Sequence, residues 1–146
     1  MDPQELLDRL GDEKIVDAIR RAEARSRGEI RVHVTSEAVG DPQGAAAEVF
    51  VRLGMTKTKE RNGVLIYVSP RAQTFAIIGD RGVHEHCGDA FWKEVAVAME
   101  ADFRAGRYLE GVLDGIARAG DVLARHFPPI EGVRDDDELP DEVSRD

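Results

Sequence analysis

At 146 residues and 16.1 kDa the chain has room for one domain of ordinary size, whose core needs neither disulfide nor structural metal. Hydrophobic residues make up 42% and charged residues 34%, the balance of a soluble globular protein and not of a disordered or fibrous one. The formal net charge of −9 argues against a nucleic-acid binder, whose phosphate contacts need a basic surface, and against an anionic membrane as partner.

In chain order, Asp2-Pro3 is a cap followed by proline at the first helical position, which predicts a short helix through Leu6, Leu7 and Leu10. Gly11 stops it. Asp12 caps a second helix with Ile15, Ile19 and Ala22 on one face, and arginines crowd its far end, where the helix dipole favours cations. After Gly28, Ile30, Val32 and Val34 alternate as in a strand. Asp41-Pro42 repeats the cap signature, with Ala47, Phe50, Val51 and Gly54 at helical spacing behind it. Residues 55–61 are polar and read as a loop. Val64 to Val68 is a continuous apolar run, the mark of a strand covered on both faces, and Thr74 to Ile78 is its hairpin partner. Gly79 and Gly82 bracket a predicted loop that runs to Gly88. Phe91, Trp92, Val95, Met99 and Phe103 then mark a helix ending near Gly106, and Leu109 to Leu123 the next.

This order predicts an α/β fold, a three-layer α/β/α sandwich with a small mixed β-sheet. The first two strands are joined through a helix and are expected to be parallel. Residues 1–127 form the predicted domain and 128–146 an acidic tail, with eight acids against Arg134 and Arg145. That tail holds two-thirds of the net charge. Cys87 has no partner for an internal disulfide, no run spans a bilayer, and Met1 to Glu5 lacks the build of a signal peptide. A cytoplasmic location is the expectation.

Three segments converge on one sheet edge in this topology: the start of the first strand (Glu29), the approach to the second (Arg61-Asn62-Gly63) and the end of the third (Gly79-Asp80). The loop after it adds Glu85 and Asp89. Carboxylates, an amide oxygen and glycine-opened carbonyls are the hard-oxygen set that suits calcium or magnesium, which makes Glu29, Asn62, Asp80, Glu85 and Asp89 candidate metal ligands. The plainer reading has Asp89 capping a helix, Glu85 solvated and Asp80 paired with Arg61 or Arg81. His84, His86 and Cys87 raise a zinc site or a cysteine nucleophile, against a plain surface loop; a second Cys/His cluster is missing from the sequence.

Arg61-Asn62-Gly63-Val64-Leu65-Ile66-Tyr67-Val68, Ile78-Gly79-Asp80-Arg81-Gly82 and Phe91-Trp92 resemble the TPM domain family over about residues 12–127. Ala22-Glu23, Gly28 to Val32, Phe50 to Met55 and Glu138 to Asp141 add to the match, which is similar to the family's small bacterial branch without signal peptide or membrane anchor. Its founding members are a thylakoid-lumen phosphatase, a photosystem II repair protein and a modulator of acetylcholine receptors. The resemblance implies an α/β/α sandwich, an acidic calcium-binding pocket bordered by Asn62-Gly63 and Gly79-Asp80 with Glu29 beside them, and acid phosphatase activity in the plant branch. Longer members read Gly-Tyr-Gly-Leu-Glu-Gly where this chain has Gly79-Asp80-Arg81-Gly82-Val83-His84.

Three functions are therefore expected in competition. The first is a domain binding a divalent cation, calcium or magnesium, with a structural or adaptor role. Another is a metal-assisted phosphomonoesterase with Asp80 and Asp89 as catalytic candidates. The last is a module that uses its acidic tail to engage a protein partner.

Overall fold

The computed structural model describes residues 12–130 and 140–146. The predicted helix over Leu6–Leu10 and residues 131–139 of the acidic stretch lie outside the described residues. Four helices and four strands follow: α1 (Asp12–Glu23), β1 (Glu29–Val34), α2 (Pro42–Arg52), a 3-10 turn (Met55–Lys57), β2 (Gly63–Ser69), β3 (Thr74–Gly79), α3 (Arg81–Arg104), α4 (Tyr108–His126) and β4 (Ser144–Arg145).

The sheet order is β3-β2-β1-β4. β1 and β2 run parallel with Glu29 opposite Gly63 and Val34 opposite Val68, and β2–β3 is the antiparallel hairpin expected. Alternation sorts the strands onto two faces. Ile30, Val32, Val34, Val64, Ile66, Val68 and Ile77 pack under α1, α3 and α4, while Leu65, Tyr67 and Ala76 pack under α2 and Met55. Three layers result, as the element order predicts. No described helix is long and apolar enough to cross a membrane.

Local chemistry sets the element ends. Asp41 caps α2, accepting from Gly44 N at 3.2 Å, with Pro42 in the first turn. The buried face of α2 is Ala46, Val49 and Phe50, one position off the predicted stripe, and Val51 faces solvent. The expected loop from Gly79 to Gly88 is instead helix. Asp80 caps it, α3 starts at Arg81, and the helix breaks at Gly88, whose φ of 71° and ψ of 178° are open only to glycine.

The second departure is β4. Residues assigned by composition to the tail run parallel to β1, Ser144 opposite His33 and Arg145 opposite Val34. Val143 packs against the larger core.

Candidate functional site

The three segments meet, with Glu29 opposite Gly63 and Asp80 bonded to Gly63, and most of their polar groups are engaged. Asn62 is 1% exposed; its amide nitrogen donates to the Arg27 carbonyl at 3.0 Å, while its Oδ1 is buried without a hydrogen-bond partner. Glu29 is 2% exposed, and its N–H donates to the Asn62 carbonyl at 3.3 Å. Asp80 donates its N–H to the Gly63 carbonyl at 2.8 Å and accepts from Arg81 N at 2.8 Å. Both oxygens of Asp80 also meet Arg61, at 2.6 and 2.8 Å, and this bond holds the Arg61 guanidinium pKa above its ordinary value. Gly82 makes that geometry possible, because a Cβ there would collide with the carbonyl oxygens of Glu60 and Arg61.

Glu85 and Asp89 do not close over this edge. With α3 starting at Arg81, they ride on an exposed helix surface, and Asp89 stands 3.5 Å from His84 Nε2. Among the described residues no three His, Cys, Asp or Glu side chains stand together so as to hold a metal ion. Of the five candidates, Asn62, Glu29 and Asp80 are buried at the strand ends, whereas Glu85 and Asp89 are exposed on α3. The plainer alternative for Asp80, pairing with Arg61, is the one observed.

His84, His86 and Cys87 are likewise helical and do not form a loop. The His86 ring stacks on His126 with centroids 4.5 Å apart and meets Phe127 edge-on. Burial pushes the half-buried Cys87 thiol up, away from the thiolate a nucleophile needs.

Two features escape sequence reasoning. One is a groove of about 400 Å³ along the outer edge of β3, floored by Phe75, Ile77, Trp92 and Ala96, with Gln43, His84, Asp89 and Lys93 at its rim. β3 ends the sheet. The bond from Asp80 N to Gly63 O fixes the alternation of the hairpin, so Ala76 and Ile78 bond to β2 while Phe75, Ile77 and Gly79 turn N–H and C=O outward. The Trp92 indole lies against Gly79, where a Cβ would run into the ring.

The other feature is the seat of β4. Glu23 hydrogen-bonds Asp141 and accepts from Ile30 N at 2.8 Å. Burial, then Asp141 and Glu29, push its carboxyl far above the carboxylate range, so it keeps a proton. His33, 1% exposed, stacks on Tyr67, with Nδ1 2.8 Å from Ser144 Oγ and Nε2 3.0 Å from Asp146 Oδ2. Burial lowers its pKa. Of this Ser–His–Asp set only His33 is fully buried, Ser144 is half-buried and Asp146 exposed, and together the three fasten the strand. The signal in the sequence was the face Glu29, Arg31, His33, polar residues at strand spacing that need partners once buried.

The family description "TPM domain" matches residues 1–122. The chain belongs to the TPM domain family. Among solved structures, the TPM chain is similar to the BA42 protein of the psychrophilic bacterium Bizionia argentinensis, at 42% identity and TM-score 0.83, over 93% of this chain and 92% of that one. It shares its fold with the N-terminal domain of a P. gingivalis protein, at 23% identity and TM-score 0.67, over 89% and 86%. It also shares it with the N-terminal domain of a Corynebacterium glutamicum protein, at 18% and 0.60, over 76% and 70%. No curated protein matches the TPM chain significantly.

Proposed function

We propose that this TPM domain is an adaptor that accepts an extended segment of a partner protein along the open edge of β3. The observation that carries this reading is the row of outward N–H and C=O groups at Phe75 and Ile77 beside an apolar groove. In strand addition the main chain supplies affinity and alternate side-chain pockets supply choice. Exposed edges are ordinarily blunted by charge, proline or a bulge. Thr74-Phe75-Ala76-Ile77-Ile78-Gly79 has neither charge nor proline.

Trp92 is the sole tryptophan and lines the groove, so its emission reports occupancy. Peptides selected for binding from a random display library should shift Trp92 emission and protect the Phe75 and Ile77 amides from exchange. Binders that do neither, or a selection that yields none, defeat the proposal.

A divalent cation, calcium or magnesium, is the second reading. Asn62 Oδ1 favours it: a buried amide oxygen with no hydrogen-bond partner, adjoining buried Glu29, is a donor a hard cation takes. Asp80 joins such a set only by leaving Arg61. A rise in melting temperature at millimolar calcium that vanishes in Asn62→Ala supports this reading, and no shift ends it. Phosphomonoester hydrolysis through Asp80 and Asp89 depends on the same cation; turnover of a generic phosphomonoester that survives Asp80→Ala counts against it.

A further inference from the structure

We propose that the outer edge of β1 is a strand-docking site whose occupant, residues 140–146, exchanges between copies of the chain, the segment of one copy filling the edge of another. The receiving side is built from residues 12–52. Arg20 Nε lies 3.5 Å from Asp141 Oδ2, Arg31 donates to the Glu142 carbonyl at 3.3 Å, and Arg52 Nη2 lies 3.4 Å from Asp146 Oδ2. His33 reads two positions at once, the hydroxyl of Ser144 and the carboxylate of Asp146. Three arginine contacts and His33 thus set a basic edge against an acidic strand, Arg145 on Asp12 runs the other way, Asp141 also meets Glu23, and the spacing of the partners fixes the register.

The attachment resembles a bound ligand more than a piece of core. The ladder is two residues long, flanked by main-chain bonds from Ser36 N to Asp146 O and from Asp146 N to Val34 O, at 3.2 and 3.4 Å. Val143 is its one apolar side chain packed on the core. Arg20 and Arg52 are largely exposed, and exposed ion pairs orient a segment more than they secure it. Departure of the segment removes Val143 from the larger cluster and uncovers His33 and Glu23, while the smaller cluster under α2 has no member in the segment, the character of a local opening.

Nothing in the chain's reach confines the segment to its own copy. Residues 127–139 separate the end of α4 from Pro140, thirteen positions that span at most about 45 Å when extended. A folded chain of this size has a radius of gyration of roughly 15 Å. Every contact made within one copy is available between two, so concentration decides which is populated.

A charge-swapped pair tests the exchange in the full-length chain. One variant carries Arg20→Glu and Arg52→Glu, the other Asp141→Arg and Asp146→Arg. In each, the edge and its own segment now repel; together they match reciprocally. Each variant alone should sediment as a monomer with wild-type helix content, and the mixture as a salt-sensitive one-to-one dimer. A mixture that stays monomeric overturns the proposal, as does either variant dimerising alone, which would place the contact elsewhere. Should a variant fail to fold, a labelled peptide of residues 138–146 gives the answer. It should bind full-length Asp146→Ala at least tenfold more tightly than wild type, because the competing segment is weakened. Equal binding, or none, overturns it.

Discussion

Arg61 holds Asp80 in a two-pronged ion pair, Nε 2.6 Å from Oδ2 and Nη2 2.8 Å from Oδ1. The same carboxylate caps α3, so one residue ties the approach to β2, the end of β3 and the start of the helix. Asp80→Ala should lower stability by about 1 kcal/mol from the lost cap alone. Asp80→Asn keeps a capping oxygen and should lose less. Thermal melts with and without calcium check this: a structural Asp80 gives the same loss in both.

Glu23 sets the alkaline limb of the stability profile. Its folded pKa is raised by burial, then by Asp141 and Glu29, so the stability it contributes is full below the ordinary 4.5 and is lost as pH rises towards the folded value. Glu23→Gln copies the protonated acid, still accepting from Ile30 N and still able to donate to Asp141. This variant should melt higher than wild type at pH 8 and vary less between pH 5 and 9, which melting across that range reads directly.

On the acid side His33 contributes between pH 6.5 and its lowered folded value, ahead of the carboxylates Asp146 and Glu60. Burial lowers its pKa against the upward pull of Asp146, with Arg52 and Arg31 adding to the fall. The unfolded chain takes up this proton first, so stability is full above the ordinary 6.5 and falls as pH drops through the folded value. His33→Gln should start from a lower melting temperature yet lose less of it between pH 6.5 and 5. An unchanged slope would falsify the assignment.

Gly79 is a contact, not a turn. A methyl group there runs into the Trp92 ring, so Gly79→Ala should cost about 1–3 kcal/mol by overpacking and shift Trp92 emission. Gly106→Ala, where no neighbour lies within 4 Å but φ is 78°, should cost stability through backbone strain and leave the emission unchanged.

Sequence reading succeeded where one local signal had one local cause. The apolar run at Val64–Val68 is a central strand because both faces of the sheet are covered, and Asp41-Pro42 caps a helix because apolar residues follow it at helical spacing. It failed at Gly79–Gly88, where glycine density suggested a loop. Gly79 and Gly82 instead allow a ring and two carbonyls to approach, so their reason lies in residues far along the chain. Asp80 shows the same ambiguity, since a cap and a cation ligand have one signature in sequence. The strand at Ser144–Arg145 has no hydrophobic alternation of its own, and its partners were fixed a hundred residues earlier.

That separation has a consequence for how the protein is made. His33 and Ser144 are 111 positions apart. At about 5–20 residues per second of synthesis, β1 waits several seconds or longer for its outer neighbour. β2 and the helices packed on β1 all precede Ser144 in the chain, so the strand on the outer border of β1 is the last of its described neighbours to be supplied.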